Sequence, residues 1–245
     1  MRKTIVIVSI FLVLVSCGKM MTRYQIKTYN ALFMVWHYTN GKKDVQFIPM
    51  AHLNKPEKFA RIKQIADSLR SQGYVIYYES VELENPSDSL RNETIQRKFR
   101  RVIGIVPGDY SDKNNKSYRA LALEGYVMQT MTNTGCDRKR DKKVDLSMDS
   151  LVALYEKERG EIKLTQCDWN TPYTEKYRCH RLKVKDQKFM ALTLRNRYLS
   201  YFLTHSKDKK IVVMYGAEHE KFLEDDLKKE DPNWKMVHNS PSIRW

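Results

Sequence analysis

A chain of 245 residues holds one domain, at most two, with ample room for a core. Its 44 basic residues outnumber 29 acidic ones, for a net charge of +15, which in a cytosolic protein would suggest nucleic acid. Four cysteines without a CxxC spacing argue against a structural zinc site built from thiolates.

The amino terminus changes the meaning of that charge. Arg2 and Lys3 precede an apolar stretch from Ile5 to Val15, too short for a membrane span of ~20 residues but typical of a signal-peptide core. It closes on Leu14-Val15-Ser16-Cys17, which resembles a bacterial lipobox: small residues for the peptidase, then a cysteine whose thiol takes the lipid. This predicts a lipoprotein signal peptide over 1–16, a tether over 17–29 and a single domain over 30–245. The protein is then exported, lipid-anchored through Cys17 to the cell membrane or outer membrane, and periplasmic in a Gram-negative source. No later segment is long and apolar enough to cross a bilayer. Without Arg2 and Lys3 the basic count falls from 44 to 42 against 29 acidic residues, a net charge of +13. On an exported lipoprotein this suits anionic head groups or envelope polymers better than nucleic acid.

In the domain, "ALFMVWHY" (Ala31 to Tyr38) and "DVQFIPM" (Asp44 to Met50) flank "TNGKK", a hairpin signal with Asn-Gly at its centre. The next segment reads as a helix. Asn54 serves as its cap and Glu57 as the partner in a capping box, Pro56 lies in its first turn, and Phe59, Ile62, Ile65 and Leu69 form its stripe up to Gly73. "YVIYYE", Tyr74 to Glu79, is a strand, so the strands ending at Met50 and Glu79 are predicted parallel, joined by a right-handed crossover. Over 83–184 the pattern is less legible, an insert of helices and loops. Helices are expected near Asp88 to Val102, Tyr118 to Thr132 and Leu146 to Arg159. Cys167 and Cys179 could close the loop "CDWNTPYTEKYRC", and Cys136 makes an odd third. The end of the chain reads as one long helix over "KDQKFMALTLRNRYLSYFLTH", a strand Ile211 to Tyr215, a short helix from Lys221 to Lys228 and an edge strand in "NWKMVH". The fold class is α/β: a central mixed, largely parallel sheet with helices on both faces and an N-terminal β-hairpin.

Polar residues stand at the carboxyl ends of these strands. His52 follows Met50 by two residues, Glu79 ends "YVIYYE", and His219 lies just past Tyr215. Open α/β sheets place their ligand crevice there, and two imidazoles with a carboxylate suit a divalent metal of unspecified identity. Arg195 and Asn196 fall within the apolar stripe of the helix before the last strand. A guanidinium there needs a carboxylate or an anionic ligand, unless it snorkels to water.

"FIPMAHLNKPEKF", "YVIYYES", "LTLRNRYLSYFL" and "IVVMYGAEHEKF", in that order, resemble the TraB/GumN family, which includes the Tiki membrane-associated proteases. That family carries two Gly-x-x-His motifs, a glutamate ending an early strand and an Arg-Asn pair before the second motif. The second motif is intact as Gly216-Ala217-Glu218-His219. In the first, Pro49-Met50-Ala51-His52, proline replaces glycine. Glu79 takes the glutamate position, and Arg195 with Asn196 the pair. Residues 30–82 and 186–240 carry the likeness.

The resemblance implies a metal-dependent hydrolase, most readily a peptidase acting on a peptide or small envelope substrate. His52, His219 and Glu79 would be its metal ligands, Glu79 or Glu218 its base, Arg195 its electrostatic support, and Gly216 and Asn196 structural supports. The alternative is a non-catalytic envelope lipoprotein that binds haem, a peptide or another ligand. Its site would be lined by Tyr110, Tyr118, Tyr126, Trp169, Tyr173 and Tyr177.

Overall fold

A computed structural model describes residues 34–119, 121–180 and 182–237. Cys17 with its lipobox, the tether, the start of the strand predicted from Ala31, and His238 lie outside the described residues. Eight strands are β1 (Trp36–Thr39), β2 (Asp44–Met50), β3 (Leu53–Asn54), β4 (Val75–Tyr78), β5 (Val127–Met128), β6 (Lys142–Lys143), β7 (Lys210–Gly216) and β8 (Lys235–Val237). The helices are α1 (Pro56–Ser71), α2 (Ser89–Ile103), α3 (Met131–Thr134), α4 (Met148–Arg159), α5 (Gln166–Asn170), α6 (Val184–Lys188), α7 (Leu194–His205) and α8 (Glu220–Glu230).

One mixed sheet runs β6-β4-β7-β2-β1-β8. The three pairings β6-β4, β4-β7 and β7-β2 are parallel, and β1 joins β2 and β8 antiparallel. The hairpin of β1 and β2 is thus as read, with Gly41 at φ +81 in its turn. The run Ile211 to Tyr215 is apolar throughout because both its faces are covered. Ile211, Val213 and Tyr215 pack with Leu199, Leu203, Leu223 and Leu227 of α7 and α8. Val212 and Met214 meet Phe59, Ile62, Ile65 and Leu69 of α1 on the opposite face. A third cluster joins α2, α4 and the segment Phe189 to Leu194 at the carboxyl ends of the strands.

Several local expectations are corrected. Asn54 belongs to β3 and not to a helix cap. Lys55 is the N-cap of α1, without a side-chain cap bond, and Pro56 opens the helix. No helix spans Tyr118 to Thr132: Val127–Met128 pairs with Leu53–Asn54, Gln129 N–H donates to the His52 carbonyl at 2.8 Å, and Gly125 sits at φ +76. Once these backbone groups are committed to a ladder and a turn, helical spacing cannot be satisfied. The long C-terminal helix is broken by a π-turn at Phe189–Thr193, where Leu194 N–H reaches the Phe189 carbonyl. The disulfide Cys167–Cys179 is formed, and Cys136 is a half-buried thiol whose Sγ lies 3.5 Å from Met214 Sδ.

Pro49 is tolerated in β2 although that strand is interior. The ladder to β1 ends at Phe47, so no partner on that side is denied a donor.

Candidate active-site cavity

Three interior strands deliver the predicted residues to one place. Glu79 leaves β4, His219 ends the turn Ala217–His219 after β7, and His52 follows β2; all three line a cavity of about 720 Å³. Arg195 and Glu218 line it as well.

Glu79 is pinned through both oxygens. Arg195 Nη2 donates to Oε1 at 2.5 Å, and Gly216 N–H donates to Oε2 at 2.5 Å. The glycine answers to this contact. Gly216 has φ −49, open to any residue, but a Cβ there would stand 3.3 Å from Glu79 Oε2. Close approach, and not backbone freedom, is what the position demands.

Arg195 is only 7% exposed, which rules out snorkelling. It meets a second carboxylate that the sequence reading missed. Asp145 accepts from its Nε at 2.9 Å and from Nη2 at 2.7 Å. Asp145 is fixed in turn by Ser80 N–H at 3.0 Å and Leu146 N–H at 2.9 Å. The π-turn contributes too, since Arg195 Nη1 reaches the Ala191 carbonyl at 3.4 Å. Asp145 could have been sought from its context: a lone acid between the short strand Lys142–Lys143 and α4, in a chain whose buried Arg required counter-charge.

One guanidinium shared by two buried carboxylates splits their behaviour. Burial opposes the ionisation of Glu79, but Arg195, then His219 and His52, outweigh it and hold the carboxyl well below the usual range. For Asp145 burial wins over Arg195, and the Glu79 charge adds to it, so its carboxyl is pushed up. Burial alone would lower the Arg195 pKa, yet Glu79 and Asp145 together raise it well above its ordinary value.

His219 is oriented by Asn196. The Asn196 amide donates from Nδ2 to the His219 carbonyl at 2.9 Å, which turns Oδ1 towards His219 Nδ1 at 2.6 Å. The proton therefore sits on Nδ1, and Nε2 keeps its lone pair, 4.0 Å from Glu79 Oε1. Burial first, then the Arg195 cation, lower the His219 pKa to about 3 against the opposing pull of Glu79. Among the remaining residues, exposed His52 packs against Tyr110 with ring centroids 5.2 Å apart. Glu218 lies exposed on the rim and accepts from Lys221 Nζ at 2.9 and 2.8 Å.

A divalent cation needs neutral imidazole and ionised carboxylate, and His219 with Glu79 meet that requirement as donors. An imidazole whose other N–H is held by a carbonyl oxygen is the usual supporting arrangement of a ligand histidine. Among the described residues no three His, Cys, Asp or Glu side chains converge as a metal-holding group. The protein thus offers a two-donor pair, with His52 on the same wall.

Of the aromatic residues expected at a ligand site, Tyr110 lines the cavity, with Tyr118 against it edge-on at 5.1 Å. Trp169, Tyr173 and Tyr177 surround Arg97 and Arg100 elsewhere, at 5.0 to 5.6 Å from ring centroid to guanidinium. Comparison with protein-family models, curated proteins and solved structures returns no match.

Proposed function

We propose that this chain is an exported, lipid-anchored, metal-dependent hydrolase of the TraB/GumN kind, acting on a peptide-type amide. The observation that carries the reading is the pairing of a neutral, Asn196-held His219 with an ionised, Arg195-held Glu79 at the carboxyl ends of parallel strands. Glu79 and His219 would hold the cation, with His52 as the third protein donor. Such a cation, when bound, lowers the pKa of a coordinated water and polarises a carbonyl.

The protein's own groups divide the remaining work. Arg195 fixes the direction of the Glu79 carboxylate, and Asp145 holds Arg195. Glu79 is held in the interior by Arg195 and Gly216 as a ligand, which leaves the role of proton acceptor to Glu218 on the rim, whose exposed pair with Lys221 opens readily. Asn196 keeps the His219 Nε2 lone pair turned to the cavity.

A ligand-binding lipoprotein is the second reading, favoured by the amount of apolar surface around the same cavity. Metal analysis and calorimetry on the wild type and His219→Ala separate the two. The hydrolase reading expects about one equivalent of divalent metal and amide turnover in the wild type, and neither in the folded variant. A wild type that binds no divalent metal at micromolar concentration refutes it.

A further inference from the structure

We propose that the apolar half of this cavity seats a medium-length hydrocarbon acyl chain. The scissile bond is then an ester or amide whose acyl part is a chain of roughly eight to twelve carbons, in keeping with the size of ligand-binding cavities. This rests on the hydrolase reading and puts an acyl ester or amide in place of its peptide-type amide.

Three observations converge. The charged groups Glu79, Arg195, Asp145 and His219 are gathered at one place by their mutual contacts, whereas the lining supplied by residues 81 to 131 is mainly apolar. Val81, Ile103, Ile105, Leu121 and Leu192 are half-buried and keep part of their surface turned to that one space. Apolar side chains left uncovered together mark a surface awaiting an apolar partner. Met128 and Met131 join them, half-buried thioethers whose flexibility suits a chain without fixed shape.

The third observation concerns what is missing for a peptide. β2, β4 and β7, which carry the site, are each paired on both sides within the sheet. No main-sheet edge stands beside His219 for an extended peptide backbone to join, so recognition falls to the hydrocarbon. Arg138, the cation lining this side, is already paired with Glu82 at 2.5 Å. In the reaction the water oxygen bonds to the acyl carbon and the bond to the alcohol oxygen or amine nitrogen breaks. That atom departs with a proton, without any change of oxidation state.

The test is calorimetric titration of the full chain carrying Cys17→Ser, so that no lipid of its own competes, with hexanoate, octanoate and decanoate. Each methylene buried should tighten binding about fourfold, the equivalent of ~0.8 kcal/mol. Ile103→Trp, and Val81→Trp as a second variant, should flatten that series while melting curves confirm folding. In parallel, p-nitrophenyl acetate and decanoate are offered as substrates. A wild-type series that does not rise with chain length overturns the inference. Turnover indifferent to chain length overturns it too, yet leaves the hydrolase reading standing. A steep binding series without any turnover supports the acyl seat and removes the hydrolase.

Discussion

Arg195→Met isolates the feature on which the whole site depends. Methionine roughly fills the space of the arginine stem, so the change removes charge and hydrogen bonds with little cavity. What stays behind are two carboxylates whose side chains are 11% exposed at Glu79 and fully buried at Asp145. Removing one partner of a buried ion pair typically costs ~3–5 kcal/mol. For a domain of this size each kcal/mol is worth about 2–4 °C of Tm, so the variant should melt roughly 6–20 °C lower at pH 7.5. The sign with pH follows from the direction of the shifts. In the wild type the Glu79 value is depressed by Arg195, so its stabilisation is complete above the ordinary carboxylate value and fades only as pH falls towards the folded one. In the variant burial is no longer opposed by the Arg195 charge, both folded values move up, and the penalty grows as pH rises. The gap between the two melting curves should therefore narrow from pH 7.5 to pH 4.5. Circular dichroism melts with chelator present measure it. Arg197→Met, which loses an exposed pair with Glu158 at 3.1 Å and a contact over the Phe189 ring at 5.6 Å, is the control and should shift Tm little. A gap below about 3 °C at pH 7.5, or one that does not narrow, refutes the argument.

Other expectations concern single groups. The His219 ring should stay neutral from pH 8 to pH 5, and NMR of its ring protons should show no midpoint near 6.5, because its value is lowered to about 3. Since only the unfolded chain takes that proton, this histidine subtracts stability as pH falls below about 6.5. Cys167→Ser opens a bridge between residues separated by 12 positions, and should cost about 3 kcal/mol, read as the difference in denaturant midpoint from the oxidised wild type. Dithiothreitol should reproduce it. Cys17→Ser should release the protein from the membrane fraction or leave an unprocessed precursor, and unchanged association with processing intact would contradict the lipobox.

The polar half of the site was legible because its residues stand at the ends of strands whose apolar runs announce themselves. Phe47, Ile48, Ile76, Tyr77, Val212 and Val213 are all essentially buried, and a strand covered on both faces leaves no ambiguity about where it stops. Glu79 and His219 then follow by position. Arg195 and Asn196 were visible as polar residues on an apolar helix stripe, and their burial at 7% and 0% bears this out. Asp145 was not, since a single acid after two lysines in a polar loop carries no periodic signal. Its role exists only through Ser80 and Arg195, brought in from 65 and 50 positions away, with the adjacent Leu146 N–H in support.

The apolar half of the site was hidden for a different reason. Beyond α2, from Ile105 to Met131, the chain uses turns, a two-residue ladder and the hydroxyl of Tyr118 donating to the Val106 carbonyl at 2.8 Å to hold itself in place. None of these has a repeat that side-chain spacing could reveal. Leu121 and Met128 could therefore be read as one face of a helix, because their spacing of seven fits a helical period as well as a loop. What decides against the helix is the backbone demand of Leu53–Asn54, a short strand that must pair with something and finds Val127–Met128. The same pairing brings Met128 to the cavity and ties Gln129 to the His52 carbonyl. Thus the segment with the least periodic sequence supports the histidine that follows Pro49 and Met50. With Pro49 unable to donate from its own nitrogen, the His52 loop is held from outside by the Gln129 N–H, so the insert helps to set its position.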